Sequence, residues 1–164
     1  MGSIQTTFVY DKVAGYPGCV ADAVDTVRES KAAAAAVNFG TFVCRRASPV
    51  DGDDQCANPA ATADVTARGR GIALRDETRK HTTGYETNDQ VSFLRRGRVW
   101  VTVEEAVLQD DAVFVRFASG AGGTQLGAFR KSADTATAVA LPGAIYKTAQ
   151  ATIGGLAMVE INLP

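Results

Sequence analysis

Few side chains in the sequence can make or break a bond, and their spacing speaks against each reaction in turn. His81 is the single histidine, set between Arg79-Lys80 and Thr82-Thr83, with no Ser or Cys nucleophile near it in sequence. The nucleophile, base and orienting group of covalent catalysis are therefore not assembled locally, and His81 reads as a polar surface residue. Glu104 and Glu105 are a carboxylate pair. Neighbours on a strand point to opposite faces, so this pair is not expected to flank one bond as acid and base. Cys19, Cys44 and Cys56 are odd in number and widely spaced, unlike the close ligand pairs of structural zinc, and read as free, buried thiols. Asp51-Gly52-Asp53-Asp54 resembles part of a calcium loop but lacks the alternating ligands and closing bidentate carboxylate. Gly120-Ala121-Gly122-Gly123-Thr124 has the glycines of a phosphate cradle but no Lys before the hydroxyl, and the following Gln125-Leu126-Gly127-Ala128-Phe129 reads as strand rather than helix. A flexible hairpin loop is expected there. No catalytic residue, cofactor or metal is implied, and the chain reads as a non-enzyme.

The elements that must position these residues are mostly short strands. From Phe39 onward apolar residues recur at every second position between Gly, Asp and Asn turns. Val91 and Phe93, then Val99, Val101 and Val103, predict two strands meeting in a tight hairpin at Arg96-Gly97. Val113, Val115 and Phe117 extend this to a three-stranded meander. Gly71 to Arg75, Gly127 to Arg130, Thr135 to Ala140, Ala144 to Lys147 and the closing run Ala157, Val159, Ile161, Leu163 complete the pattern, while Ala47 to Asp64 reads as a long, exposed polar loop. Strands with one apolar face each must bury it against another sheet or in a closed barrel. The expected fold is all-β: an antiparallel β-sandwich or barrel, jelly-roll-like, over residues 39–164, with an extended N-terminal arm over residues 1–38. Within that arm, Ala21 to Ala36 suits a short helix by propensity, with Ser30 as an internal cap, but it shows no apolar stripe. An arm lying on another surface is the competing reading.

Composition narrows the partners. The 164 residues carry 17 Lys and Arg against 18 Asp and Glu, a formal charge of −1 that lacks the basic footprint of nucleic-acid binding. With 46% hydrophobic but only 7% aromatic residues, the core must be light. There is no run of apolar residues long enough to span a membrane and no secretory pattern, so the protein is expected to be made in a cytosol without membrane partners. Basic residues cluster at Arg68, Arg70, Arg75, Arg79 and Lys80 and at Arg95, Arg96 and Arg98, which reads as a solvated face or a patch for an acidic protein surface. Trp100, opposite Val99 and Val101, is either second-layer core or an exposed anchor.

Several short motifs then appear in a familiar order: Tyr16-Pro17-Gly18 with Ala21-Asp22, Val37-Asn38-Phe39-Gly40, Gly97-Arg98-Val99-Trp100-Val101, Gly127-Ala128-Phe129-Arg130, and Gly154-Gly155-Leu156-Ala157-Met158-Val159-Glu160-Ile161-Asn162. In this order the chain resembles the structural cement, or head decoration, proteins of tailed bacteriophages. The loop holding Cys56 and the stretch Arg79-Lys80-His81 have no counterpart in the likeness. The resemblance implies a non-enzymatic capsid decoration protein that binds the outer surface of the assembled head and stabilises contacts between major capsid subunits. It further implies a homo-oligomer, a dimer first and a trimer second, located on the virion after synthesis in the host cytoplasm. An arm of about 38 residues could span on the order of 100 Å. Phe8, Tyr10, Tyr16 and Pro17 are its sizeable apolar side chains and are the expected capsid contacts, unless they fold back on the body. The alternative is a small β-barrel module for a ligand or carbohydrate, using the loops Ala47 to Asp64 and Ser119 to Thr124. Neither loop contains an aromatic residue.

Overall fold

The structure, a computed structural model, describes residues 15–47, 54–78 and 83–164, with the side chains of all these but Ala23 and Val24. It is nearly all β, 49% strand and 4% helix, and its antiparallel sheet curls strongly into a half-barrel. Among the described residues eleven strands follow one another: β1 (Val20–Ala32), β2 (Val37–Asn38), β3 (Phe42–Arg45), β4 (Cys56–Ala57), β5 (Gly69–Ala73), β6 (Gly84–Tyr85), β7 (Gln90–Thr102), β8 (Ala112–Arg116), β9 (Phe129–Arg130), β10 (Ala138–Tyr146) and β11 (Leu156–Asn162). A single helical turn, α1 (Thr62–Thr66), lies between β4 and β5. The main sheet runs β4-β3-β5-β7-β11-β10-β8-β9, with β1 alongside β7, while β2 and β6 form a separate ribbon. The all-β expectation holds.

The long strand β7 organises the molecule. One of its edges pairs with β1 along most of its length; the other pairs first with β5 (Ile72 with Leu94) and then with β11 (Thr102 with Leu156 through Arg96 with Asn162). Two steps of β7, Leu94 to Arg96, face one step of β1, Arg28 to Val27, so Arg95 is an inserted residue. A one-residue bulge exchanges the two faces of a strand. Val91 and Phe93 accordingly pack in one apolar cluster, whereas Leu94, Val99 and Val101 pack in another. The larger cluster fills the half-barrel with Phe42, Ile72, Val113, Val115, Phe129, Tyr146, Val159 and Ile161. The smaller one, including Val37, Phe39, Val43, Tyr85, Val91 and Phe93, lies under the β2–β6 ribbon.

Two expectations are overturned. The hairpin at Arg96-Gly97 is absent: Gly97 has φ +129°, but it sits inside the continuous β7, opposite Ile161. The meander is absent as well, because β8 pairs with β10 and β9. Alternation marks strands but not partners, and the edges of β7 are taken by strands distant in sequence. Of the two readings left open for Ala21 to Ala36, a short helix or a segment lying on another surface, Val20–Ala32 follows the second: pairing along β7 outweighs the helix propensity of its alanines. Within the expected polar loop Ala47 to Asp64, Cys56–Ala57 forms an edge strand, and Asp64 is buried at the start of α1. There its carboxylate accepts from the Ala60 N–H at 2.9 Å and pairs with Arg68.

Candidate functional site

Two constructions depart from ordinary packing, and both lie where the ends of the curled sheet approach each other. The first is the root of the N-terminal segment. Tyr16-Pro17-Gly18-Cys19 is a type II turn: the Cys19 N–H donates to the Tyr16 carbonyl at 2.9 Å, proline holds the second position, and Gly18 takes φ +81° at the third. The turn is tied to the body on two sides. Gly18 donates to the Trp100 carbonyl at 2.8 Å and accepts from the Arg75 N–H at 2.9 Å. Trp100 is half-buried, with the Gly15 backbone against its indole, so it is neither core nor a free anchor. The Arg75 guanidinium lies 5.0 Å from the Tyr16 ring centroid and 5.5 Å from that of Phe39, within cation–π range of both. Tyr16 remains 57% exposed.

Beside this turn the two sheet ends meet. The Phe42 N–H donates to the Gly127 carbonyl at 2.8 Å, and the Asn58 amide donates to the Phe42 carbonyl at 2.8 Å and to the Thr41 hydroxyl at 2.9 Å. A cavity of about 260 Å³ sits at this seam, lined by Pro17, Phe39, Gly40, Thr102, Gln125 and Ala128 among others. Segments that are far apart in sequence thus converge on one mostly apolar depression.

The second construction is a buried charge cluster at the β8–β9 end. Arg116 is fully buried. Its Nε meets the Glu104 carboxylate at 2.7 Å, its Nη2 meets Asp134 at 2.7 Å, and its Nη1 donates to Thr137 Oγ1 at 2.9 Å and to the Ala118 carbonyl at 3.1 Å. Arg130, also buried, lies 3.0 Å from Asp134, 3.3 Å from Glu105 and 3.6 Å from Glu104. Burial works against the Arg116 cation, but its hydrogen bonds to Asp134 and Glu104 hold its pKa above the ordinary arginine value. Burial raises the pKa of Glu104. It acts on Glu105 in the same sense but is outweighed by hydrogen bonds from Ser132 and the Lys131 N–H, which leave that pKa lowered. The hydrogen bond from Arg116 lowers that of Asp134.

Glu104 and Glu105 correct the sequence reading: β7 ends at Thr102, and in the bend that follows both carboxylates turn toward one guanidinium, Arg130. They act as ligands for arginine, with their acceptor capacity directed to that structural task. The Gly120–Thr124 loop is likewise pinned rather than slack. Gly120 and Gly123 form a bridge, Gly122 donates to Asp134 at 3.1 Å, and a side chain at Gly123 would collide with the Glu104 carboxylate.

With this geometry in view, the comparisons with known proteins decide the class. The family model described as Structural cement protein (E217 gp24/Pam3 gp6) matches residues 4–162. The chain belongs to the phage structural cement protein family. It is a capsid decoration protein, a structural component whose binding partner is capsid protein and whose place is the virion capsid. Among solved structures, a chain from the capsid of Myoviridae phage XM1 shares the fold: TM-score 0.67 and 16% identity, covering 98% of each chain. No curated protein matches the chain.

For this cement protein, the expected contact residues fall into two groups. Phe8 and Tyr10 lie outside the described residues, as do Arg79, Lys80 and His81. Tyr16 and Pro17 stand together at the arm root, the first exposed and the second half-buried against Gly40. The described arginines of the two basic clusters are mostly paired within the chain: Arg68 with Asp64, Arg70 with Asp54 at 3.2 Å, Arg75 with Glu77, Arg95 with Glu29 at 2.5 Å, and Arg98 with Glu160 at 2.7 Å. They are no open basic patch. Cys44 and Cys56 stand at adjacent register positions of the β3–β4 pair, and burial pushes their thiols up to about 12 and about 11. Among the described residues no three His, Cys, Asp or Glu side chains gather as a metal site, and no helix is long and apolar enough to cross a membrane. Sequence reasoning missed Arg75 as a ring partner and Arg116 and Arg130 as buried hubs. It also missed the exposed aliphatics Leu108 and Ile153.

Proposed function

We propose that this cement protein binds the outer surface of the assembled head and clamps neighbouring major capsid subunits, with Phe8, Tyr10, Tyr16 and Pro17 as apolar anchors. The observation that carries the reading is the family match over residues 4–162. In this reading the leading segment, residues 1–38, lays its Val20–Ala32 stretch along β7 of the body and carries the anchors ahead of it. An exposed Tyr16 beside a mostly apolar cavity suits that role. A protein that binds the assembled shell but not separated subunits stabilises the shell by linkage, by about 2.7 kcal/mol per site at a hundredfold excess over Kd. Many such sites on one particle make a modest affinity sufficient. A closed homo-oligomer, a dimer before a trimer, fits a lattice of symmetric contacts. Synthesis belongs to the host cytoplasm, before the protein reaches the head.

The test uses undecorated heads. Removing residues 2–14 leaves the Tyr16–Cys19 turn intact, and Tyr16→Ser then removes the exposed ring. Co-sedimentation is expected to show loss of binding for the deletion and about a tenfold weakening for Tyr16→Ser, the effect of withdrawing one buried aromatic contact. Undiminished binding of both variants would refute the anchors. Failure of the full chain to bind heads at all would refute the clamp.

A further inference from the structure

The ribbon made by residues 103–108 and 149–155 inverts the usual distribution of side chains. Its two carboxylates face inward, Glu104 to Arg116 and Glu105 to the Lys131 and Ser132 N–H groups at 2.8 and 2.9 Å. Its aliphatic side chains face water: Leu108 is 63% exposed and Ile153 72%, with Ala106, Ala149 and Ala151 exposed between them. Buried charge and exposed large apolar groups are the informative departures from ordinary burial, and here they share one element. No ionisable residue occurs from Thr148 to Gly155 or from Ala106 to Gln109, in a chain that is 21% charged.

The ribbon is also braced. Val107 and Gln150 exchange both backbone hydrogen bonds at 2.9 Å, Gly154 donates to Val103 at 2.8 Å, and Val103 donates to Gly155 at 3.0 Å. The Gln150 side chain donates to the Leu156 carbonyl at 3.1 Å and accepts from the Thr152 N–H at 3.0 Å, while Asp111 accepts from the Leu108 N–H at 2.8 Å. Leu108 and Ile153 are thus held out on a fixed backbone, so that docking them costs little ordering entropy.

We propose that this ribbon is a second shell contact, which seats Leu108 and Ile153 on an uncharged apolar site of the major capsid protein. The proposal rests on the cement reading and names the surface it uses apart from the arm. The small size of the patch selects the shell over another copy of the chain. The ribbon comprises only residues 103–108 and 149–155, well short of the about 20–30 residues a side of a stable stand-alone interface. On a shell the same small contact adds to that of the arm, because the second attachment of a tethered body is intramolecular. A neutral patch also meets a neutral partner without stranding a desolvated charge. The other large exposed aliphatic among the described residues, Val27 at 44%, lies by contrast on β1, an edge strand studded with Asp25, Arg28 and Glu29 and broken by a bulge, features that discourage docking.

The experiment compares the full chain with Leu108→Ser, Ile153→Ser and the double variant in binding to undecorated heads at low and high salt. Both side chains are exposed, so unchanged thermal melting is expected and is checked first. The double variant is expected to bind about tenfold or more weakly, with a deficit that does not shrink at high salt, as for apolar rather than ionic contact. Leu108→Met with Ile153→Val should restore binding. A double variant that binds like the parent overturns the proposal and leaves the cement reading standing. A parent chain that does not bind heads overturns both. If the parent sediments as an oligomer in solution and the double variant as a monomer, the ribbon's occupant is a second copy, and the proposal fails.

Discussion

The two ends of the curled sheet are closed by opposite means. At the β4 end, Val37, Phe39, Val43, Tyr85, Val91 and Phe93 form a small apolar cluster beneath the β2–β6 ribbon, and Tyr85 satisfies its hydroxyl on the Leu74 carbonyl at 2.8 Å. At the β9 end, two guanidiniums and three carboxylates fill the equivalent space and tie the 118–137 loops to the sheet. Apolar closure is non-directional and indifferent to pH. Ionic closure is directional: each partner fixes the position of another, and a half-dismantled set is worse than none. The comparison explains why the glycines of the 120–123 loop crowd the charged end. Side chains there would displace atoms of Glu104, Arg130 and Asp134 from positions that their partners require.

The largest effects should come from breaking each closure at its centre. Phe93→Ala should cost about 3–5 kcal/mol through lost burial and a residual cavity. Arg116→Met should cost about as much, because it leaves Arg130 as the one cation facing Glu104 and Asp134. The two deficits should differ in their response to acid. Abandoned carboxylates take up protons readily, so the Arg116→Met deficit is expected to shrink as pH falls, whereas the Phe93→Ala deficit stays level. Denaturant unfolding at several pH values measures both. Parallel pH profiles would show that the charged closure contributes nothing of its own.

A smaller effect concerns the intact protein. Glu105 and Asp134 have folded-state pKa values below their ordinary ones, as has Asp54, which is hydrogen-bonded by Lys31 near the other end. A lowered carboxylate binds fewer protons folded than unfolded in the acid range. Its stabilisation is complete above the unfolded value, near pH 4, and is lost as pH falls toward the folded value. Glu104, raised by burial, acts in the opposite sense and is relieved by acid. With three lowered against one raised, the melting temperature should drop below about pH 4. Asp134→Asn should flatten that drop by removing one lowered carboxylate. An unchanged acid limb in this variant would place the sensitivity elsewhere, with Asp54 as the next residue to substitute.

The two ends were unequally legible in the sequence. The alternation of Val91 with Phe93 and of Ala157, Val159 and Ile161 marks strands β7 and β11 directly, because period two is the imprint of a half-buried strand. The Tyr16-Pro17-Gly18 turn is legible for a similar reason, since proline and glycine fix its φ angles locally. The bulge at Arg95 is not: nothing in Arg95-Arg96-Gly97 distinguishes an inserted residue from a hairpin, and the deciding fact is which strands lie alongside. Arg116 was hidden by its own pattern. Val113, Val115 and Phe117 direct their faces inward, which assigns Arg116 to the outer face. That face is covered only because Asp134 and Thr137 return from a loop further along the chain. Ionic hubs of this kind are long-range and leave no local period.

The finest difference between the ends can be read through the cysteines. Cys44 and Cys56 belong to the β4 end and are buried, with thiols pushed up to about 12 and about 11, whereas Cys19 closes the arm-root turn and is half-buried. Alkylation proceeds through the thiolate, and at pH 8 a thiol of pKa 12 is ionised in about one molecule in ten thousand, one of pKa 11 in about one in a thousand. Native protein should therefore gain a single adduct, at Cys19, while denatured protein gains three, as read by peptide mass spectrometry. Phe93→Ala loosens the cluster that shields Cys56 and should speed labelling there. Arg116→Met, acting at the β9 end, should leave Cys44 and Cys56 protected until global unfolding. If instead Arg116→Met exposed both thiols as readily as Phe93→Ala, the two closures would open as one cooperative unit, and their contrast would be one of chemistry but not of dynamics.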